Sequence, residues 1–433
     1  MQVSVEPVSG LERKMTVQVP ADRVDQEVEK RLRSLVGKVK IDGFRPGKVP
    51  FKVVKQRYGE GVFHEVAGEV MQSSFYEAVS QEKLRPAGAP SIEARTLTQG
   101  EPLEYDATFE VYPEFEPAAV DSIEVKKPTA EVADADIDKM IDTLRKQRKT
   151  WAEVERAAAE GDQITIDFEG SIDGEAMEGG KAEDMAIEIG AGRLIKSLEG
   201  QLAGLKAGDE KTLDVTFPDD YHAKELAGKA AQFAVTVKKV EEPAIPEADD
   251  EFARQFGVEE GGIAALRDEV SANMGRELRQ AVQKEVKTQV MDGLIKLNDV
   301  EAPKSLIQDE IKALREQMMS QVGQQIKGAD FPDSFFEEEA KRRVTLGLII
   351  GEMIRKEEMT PDEDRIKSAL EDLAANYDDP KQVIDYYRTN QQAMANVESM
   401  VMEDQLVDWV LERAKVSEET KDFDSIMNPE KSE

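Results

Sequence analysis

Residues 42–50 read DGFRPGKVP and lie inside a strongly basic stretch. Residues 31–57 hold nine cations (Arg31, Arg33, Lys38, Lys40, Arg45, Lys48, Lys52, Lys55 and Arg57) against one acid, Asp42, a net charge of +8 in a chain whose formal charge is −33. A charge run of this kind is often no more than a solvated helix face. Here Gly43, Pro46, Gly47 and Pro50 break the run and force a turn, with Phe44 and Arg45 near its tip. An aromatic and an arginine flanked by lysines suit a phosphate-rich, partly apolar dock.

On either side of this turn the pattern alternates between strand and helix. Residues 2–5 and 14–19 alternate apolar and polar like strands. Asp22 is placed to cap a helix in which Val24, Val28, Leu32 and Leu35 recur at helical spacing. A second helix is expected over residues 50–79, and LEYDATFEVY at 103–112 alternates again. Residues 1–112 therefore read as a small α+β domain. Residues 113–150 read as a connector, first extended and proline-punctuated (PEFEPAAVDSIEVKKP), then a charged helix from Asp134 to Trp151. Over 161–242 the texture becomes strands and glycine turns, giving a compact β-rich domain at 151–243. After Pro243 and Pro246 a domain at 246–433 is helical to about Ala414 and ends in a polar tail whose residues declare no role.

One helix of that last domain carries Ile263, Leu266, Val270, Met274, Leu278, Val282, Val286, Val290 and Leu294, nearly every fourth residue. A four-residue stripe drifts by ~40° per step around a helix of 3.6 residues per turn. Such a helix must meet different neighbours along its length. Methionines at 274, 291, 318, 319, 353, 359, 394, 400 and 402 either fill gaps in the core or line a surface that adapts to many partners.

Composition removes several function classes. At 433 residues the chain exceeds the ~250 at which single cores stop growing, so about three domains are expected. With no cysteine, and only His64 and His222 for imidazole, thiolate metal sites and histidine-based triads are nearly excluded. His222 and the neighbouring Asp219 and Asp220 read as surface and turn residues. GAGRLIKSLEG lacks the GK[ST] ending of a phosphate loop, so no ATP chemistry is expected. Neither a basic–apolar leader nor a run of ~18 apolar residues is visible, and a cytosolic protein without membrane contact is expected.

GFRPGKVP resembles the ribosome-docking signature of the bacterial trigger factor family, and its place in an α+β domain matches too. The resemblance implies docking on the large subunit beside the tunnel exit, through ribosomal protein and RNA, by Gly43, Phe44, Arg45, Gly47, Lys48 and Pro50. Pro46 stands where a basic residue is common in the family. FEGSIDGEAMEGG, IGAGRLIKSLEGQLAGLKAGDEKTLDVTFPDDYH and AQFAVTVKKV resemble an FKBP-type prolyl isomerase. By position, Phe168, Met177, Ile195, Leu198, Phe217, Tyr221 and Phe233 would line its apolar cup, with Met177 and Leu198 where phenylalanine is frequent. The resemblance covers the whole chain in order. It implies an α+β multidomain protein made of an N-terminal α+β ribosome-binding domain, an FKBP-like β-rich isomerase domain and an all-α C-terminal chaperone domain, with the connector packed on the last. It also implies cofactor-free, ATP-independent holding of nascent and unfolded polypeptides for folding and export, prolyl isomerisation, and a possible homodimer off the ribosome. The competing expectations are a stand-alone prolyl isomerase with tethering domains, a periplasmic chaperone and an RNA-binding regulator.

Overall fold

The computed structural model describes residues 1–45, 48–172, 175–192, 195–218, 226–322, 331–375, 377 and 379–429. Two compact units emerge, Met1–Lys127 with Lys284–Glu419, and Pro128–Gln283 with Thr420–Glu433.

The first unit begins with β1 (Gln2–Ser9) and β2 (Glu12–Val19), then α1 (Ala21–Val36), α2 (Phe51–Gln81), β3 (Ser91–Thr96) and β4 (Leu103–Glu110). The strands form an antiparallel sheet in the order β1-β2-β4-β3. Alternation decides which face is covered: Leu103, Tyr105, Ala107 and Phe109 are buried while their neighbours are not. Met15, Val17 and Val19 of β2 join them under Val24, Val28 and Leu32 of α1 and the long face of α2. The Tyr105 hydroxyl, which burial pushes above its ordinary pKa, meets the Ser74 hydroxyl at 2.8 Å in this core. Asp22 is not the cap expected for α1. Pro20 occupies that position with φ −58° and Asp22 lies in the first turn, where a carboxylate faces the positive end of the helix.

After β5 (Glu124–Thr129) the second unit opens with α3 (Asp134–Gln147) and β6 (Thr150–Glu153). The helix expected to run to Trp151 therefore stops four residues early. Trp151 instead pairs with Pro243, because the edge of a neighbouring strand supplies backbone partners and Thr150 and Trp151 favour extended structure. That neighbour is the last of β7 (Gln163–Ile172), β8 (Glu175–Glu188), β9 (Glu210–Thr216) and β10 (Ala230–Ala244). β10 is the spine of a five-stranded antiparallel sheet: it pairs with β7 along one edge and with β9 and then β6 along the other, and β8 lies outside β7. α4 (Lys196–Leu202) covers the sheet with Leu198 and Leu202. A second core of this unit joins Ile137 and Ile141 of α3, Phe252 and Ala253 of α5 (Asp250–Arg254), and Leu266, Val270, Met274 and Leu278 of α6 (Gly262–Leu297).

The remainder of α6 returns to the first unit, where Val286, Val290, Met291 and Leu294 are buried. The drifting stripe thus does what its spacing requires: its early and late parts serve two different cores. Gly293 is needed there, since a Cβ on it would come within 2.8 Å of Ile123 Cγ2. α7 (Lys304–Val322), α8 (Glu337–Lys356), α9 (Glu363–Ala374), α10 (Pro380–Thr389) and α11 (Gln391–Leu411) follow, with small cores around Ile311, Leu314, Phe336 and Ala340 and around Leu370, Val397 and Val401. The start of α7 is tied to the N-terminal sheet: the Ser305 N–H donates to Glu110 Oε2 at 2.8 Å, and its hydroxyl reaches the Ala87 carbonyl.

The tail after Lys415 turns out to be structural. β11 (Lys415–Thr420) pairs with β5, and α12 (Phe423–Met427), capped by Asp422, puts Phe423 into the core of α3, α5 and α6. Polar composition hid this, because one buried ring in five helical residues leaves no periodic signal. Phe423→Ala should cost that core about 3 kcal/mol, the usual loss for a buried phenylalanine. Urea unfolding followed by hydrogen exchange across α3 and early α6 reads it, and protection unchanged from wild type would show that the tail is not part of the core.

Candidate docking loop and isomerase pocket

The loop between α1 and α2 is held at both ends and offered in the middle. Ile41 and Val49 are only 8% and 3% exposed and belong to the core beneath α1 and α2, whereas Phe44 is 39% exposed. Gly43 has φ +90°, the left-handed conformation that turns the chain at Phe44, and the Phe44 N–H donates to the Ile41 carbonyl at 3.1 Å. On the far side the Lys48 N–H donates to Arg45 O at 2.9 Å, and Pro50, φ −62°, precedes the first residue of α2. Gly43, Phe44, Arg45, Lys48 and Pro50 are thus gathered in one exposed turn. Gly47 and Pro46 lie outside the described residues.

The nine cations divide into two groups that the sequence could not separate. Arg31 bridges to Glu65 at 2.8 Å and Glu69 at 2.5 Å, pinning α1 on α2, and Arg33 pairs with Glu29 while standing 5.8 Å from the Phe51 ring. Among the described residues, no carboxylate lies within ion-pair distance of Lys38, Lys40, Arg45, Lys48, Lys52, Lys55 or Arg57, and all seven are exposed. Their charge is free for a ligand.

In the sheet of the second unit the expected cup residues converge. Leu198, Phe217 and Phe233 are buried, and Phe168, Met177 and Ile195 pack half-buried against the same cluster. The Phe168 and Phe233 rings meet edge to face at 5.8 Å, and Phe217 lies 6.5 Å from Phe233. Tyr221, His222, Asp219 and Asp220 fall outside the described residues. Two contributors escaped sequence reading. Leu226 packs on the cluster, and the buried Glu199 carboxylate accepts the N–H groups of Gly190 at 2.9 Å and Gly192 at 3.2 Å, bracing the turn that leads to Ile195. An acid in the first turn of a short helix following two glycines is the only trace Glu199 leaves in the sequence. The cluster is formed by apolar side chains among the described residues. Among the described residues no group of three or more His, Asp or Glu could hold a metal ion, and no helix is long and apolar enough to cross a membrane.

The family model described as bacterial trigger factor protein matches residues 1–144, that for the trigger factor C-terminus matches 262–412, and FKBP-type peptidyl-prolyl cis-trans isomerase matches 154–238. The trigger factor of Thioalkalivibrio sulfidiphilus is 56% identical over 431 residues, covering 100% of this chain and 99% of that protein. The chain belongs to the trigger factor family. Trigger factors of Cellvibrio japonicus (50% identical, covering 99% of each chain) and Azotobacter vinelandii (49%, covering 99% of this chain and 98% of that protein) agree. A solved structure reported under "Promiscuous Substrate Recognition in Folding and Assembly Activities of the Trigger Factor Chaperone" has a TM-score of 0.51 at 18% identity, covers 95% of this chain and 99% of that one, and shows the same fold. The three-part α+β architecture of a trigger factor, with an FKBP-type domain between an N-terminal sheet domain and a helical C-terminal region, is therefore that of this chain.

The methionines divide as well. Of the nine in the helical domain, Met274, Met291, Met353 and Met402 are core, Met318, Met359 and Met394 are half-buried, and Met319 and Met400 stand exposed.

A glycine also lies against the apolar cluster around Phe233. Gly170 of β7 sits opposite Phe233, and a Cβ there would lie 2.8 Å from Phe233 Cε1 and 3.2 Å from Met177 Cε. Gly170→Ala should push both side chains aside without unfolding the sheet. Ring-proton shifts of Phe233 and Phe168 should move while far-UV circular dichroism stays constant, and unmoved ring signals would refute the contact.

Proposed function

We propose that this protein is a ribosome-associated, ATP-independent chaperone that meets nascent chains at the tunnel exit, shelters unfolded segments, and carries prolyl isomerase activity in its FKBP-type domain. The observation that carries the reading is the loop of residues 42–50: an exposed aromatic and arginine on buried aliphatic anchors, ringed by unpaired cations in a chain of −33. Ribosomal RNA supplies the phosphate and ribosomal protein the apolar contact that such a loop requires. Gly43, Phe44, Arg45, Gly47, Lys48 and Pro50 are assigned to that contact. The domains are assigned as 1–112 for ribosome binding, 113–150 as a connector that packs with the C-terminal domain, 151–243 for the isomerase and 246–433 for the chaperone body. Cytosolic location, a role in export and a homodimer off the ribosome belong to the same proposal.

The isomerase is assigned to Phe168, Met177, Ile195, Leu198, Phe217, Tyr221 and Phe233. An X–Pro bond rotates through a twisted amide that has lost its resonance, and a water-poor apolar cup favours that state without an acid, a base or a metal. Met177 and Leu198 make the cup softer than a fully aromatic one, so its activity is expected to be modest.

Cosedimentation with 70S ribosomes over a salt series tests the docking assignment. Wild type should pellet at low salt, release progressively as salt rises, and lose pelleting in the Phe44→Ala/Arg45→Ala double variant. Wild type remaining in the supernatant at low salt would leave a stand-alone isomerase as the better reading. For the cup, Phe168→Ala should lower the catalysed rate on a proline-containing tetrapeptide by about tenfold, the equivalent of one lost aromatic contact of ~1.4 kcal/mol in the transition state. A rate equal to wild type would remove Phe168 from the site.

A further inference from the structure

Among the described residues two carboxylates are buried, and both belong to the β-rich domain of the second unit. Asp162, 3% exposed, has a cation for a partner, since Arg156 holds both of its oxygens. Glu199, 6% exposed, is bound instead by main-chain donors. Rotation about an X–Pro bond calls for no acid and no base. Burying a carboxylate is costly unless hydrogen bonds satisfy it, so an acid that the reaction does not use needs another reason to be there.

That reason lies in the segment between β8, which ends at Glu188, and α4, which begins at Lys196. The chain turns at Gly190, φ +94°, and Gly192, φ +69°, both in the left-handed region that glycine alone enters freely. Their two N–H groups converge on a single oxygen, Glu199 Oε1, at 2.9 and 3.2 Å. Successive main-chain donors turned toward one point form a cradle for a negative oxygen, and here the oxygen is supplied by the chain itself. At the other end of the segment the main-chain N–H of Glu199 donates to the Ile195 carbonyl at 3.0 Å, beside the Leu198 N–H at 2.8 Å. One residue therefore grips both ends.

What is gripped belongs to the apolar cup. Ile195 packs half-buried against the cluster of Phe168, Phe217 and Phe233, and Leu198, the residue before Glu199, is 3% exposed within it. An apolar side chain at 199 could fill the same space, but it would take the shared acceptor away from two partly buried donors and leave the turn without its tie to α4.

We propose that Glu199 is a positioning residue of the isomerase: its carboxylate clasps the Gly190–Gly192 turn and so holds Ile195 at the wall of the cup before the proline segment arrives. This role rests on the isomerase reading above and adds to it a residue that does not touch the substrate. The clasp needs an oxygen acceptor and no proton, so an amide can replace it, which a catalytic acid or base would not tolerate. A loosened segment in rapid exchange with the clasped one lowers the share of cups competent to bind, and that raises KM while leaving kcat nearly intact at saturation. Loss of folded domain does the opposite, because it removes active enzyme and leaves KM where it was.

The test compares wild type, Glu199→Ala and Glu199→Gln as full-length proteins. Steady-state isomerisation of a proline-containing tetrapeptide is measured alongside hydrogen exchange over residues 188–195 and over β10. Glu199→Ala should raise KM about tenfold with kcat within about twofold, and should lose protection at 188–195 while β10 keeps it. Glu199→Gln keeps an oxygen of the same reach and should return both KM and protection close to wild type. An unchanged KM in Glu199→Ala would overturn the proposal. So would a fall in kcat at constant KM with protection lost across β10, because Glu199 would then only stabilise the fold. Glu199→Gln as impaired as Glu199→Ala would trace the effect to charge, and the clasp would be wrong. Wild type without isomerase activity sinks the isomerase reading and this role together, whereas an active wild type matched by Glu199→Ala sinks this role alone.

Discussion

Like-charge repulsion is the constraint under which the whole chain is built: 57 cations face 90 acids, so a cation is a scarce resource and its placement is informative. Many are used as staples. Arg31 fastens α1 to Glu65 and Glu69 of α2, and Lys287 of α6 meets Glu403 at 3.2 Å and Asp404 at 2.8 Å on α11. Arg156 holds the buried Asp162 with a bidentate pair and reaches Glu242 at 3.1 Å. Exposed pairs of this kind contribute little singly. The Arg156–Asp162 bridge matters more, since its carboxylate is buried and also receives the Ala159 N–H at 2.8 Å, and losing its partner would leave a charge without solvent. Against that background, the seven exposed cations between Lys38 and Arg57, none within ion-pair distance of a carboxylate among the described residues, are a local concentration of positive charge that suits an external partner.

How much of this was legible in the sequence depended on whether a residue's role is written in its spacing. The alternation of β4 and the drifting stripe of α6 carry their meaning in period alone, and both elements form where the pattern puts them. The turn at Gly43 to Pro50 could be read because glycine and proline constrain backbone angles independently of context. Ion-pair roles were illegible: nothing in the order of residues says that Arg31 is committed to α2 while Arg45 is free, because Glu65 and Glu69 lie more than thirty residues away and meet Arg31 only in the folded chain. The tail after Lys415 failed for the related reason that a strand and a single-turn helix borrow their stability from partners far upstream, β5 and α3.

The cup shows the same division. Its aromatic members could be placed by resemblance, since Phe168, Phe217 and Phe233 fall on strands or at their ends whose alternation fixes which side they face. The parts that determine its shape were not visible. Gly170 reads as an unremarkable strand glycine until the ring of Phe233 is seen to occupy the volume of the missing Cβ. Glu199 reads as a surface acid until the turn at Gly190 to Gly192 is seen to need its carboxylate as an acceptor.

Rigidity and adaptability are divided between the parts in a way that matches what each must recognise. For the docking proposed above, a fixed partner rewards anchored shoulders, and the buried Ile41 and Val49 on either side of the exposed Phe44 would limit the conformational entropy lost on contact. A changing set of unfolded chains rewards soft, shallow contact. The helical region carries small clusters around Ile311 and Leu370 besides the buried Val290, Leu294, Ile349 and Leu406, and Met319 and Met400 stand exposed in it. For the chaperone proposed above, contact through a few exposed apolar side chains on an acidic body would be weak, and rapid release is what allows a client to fold.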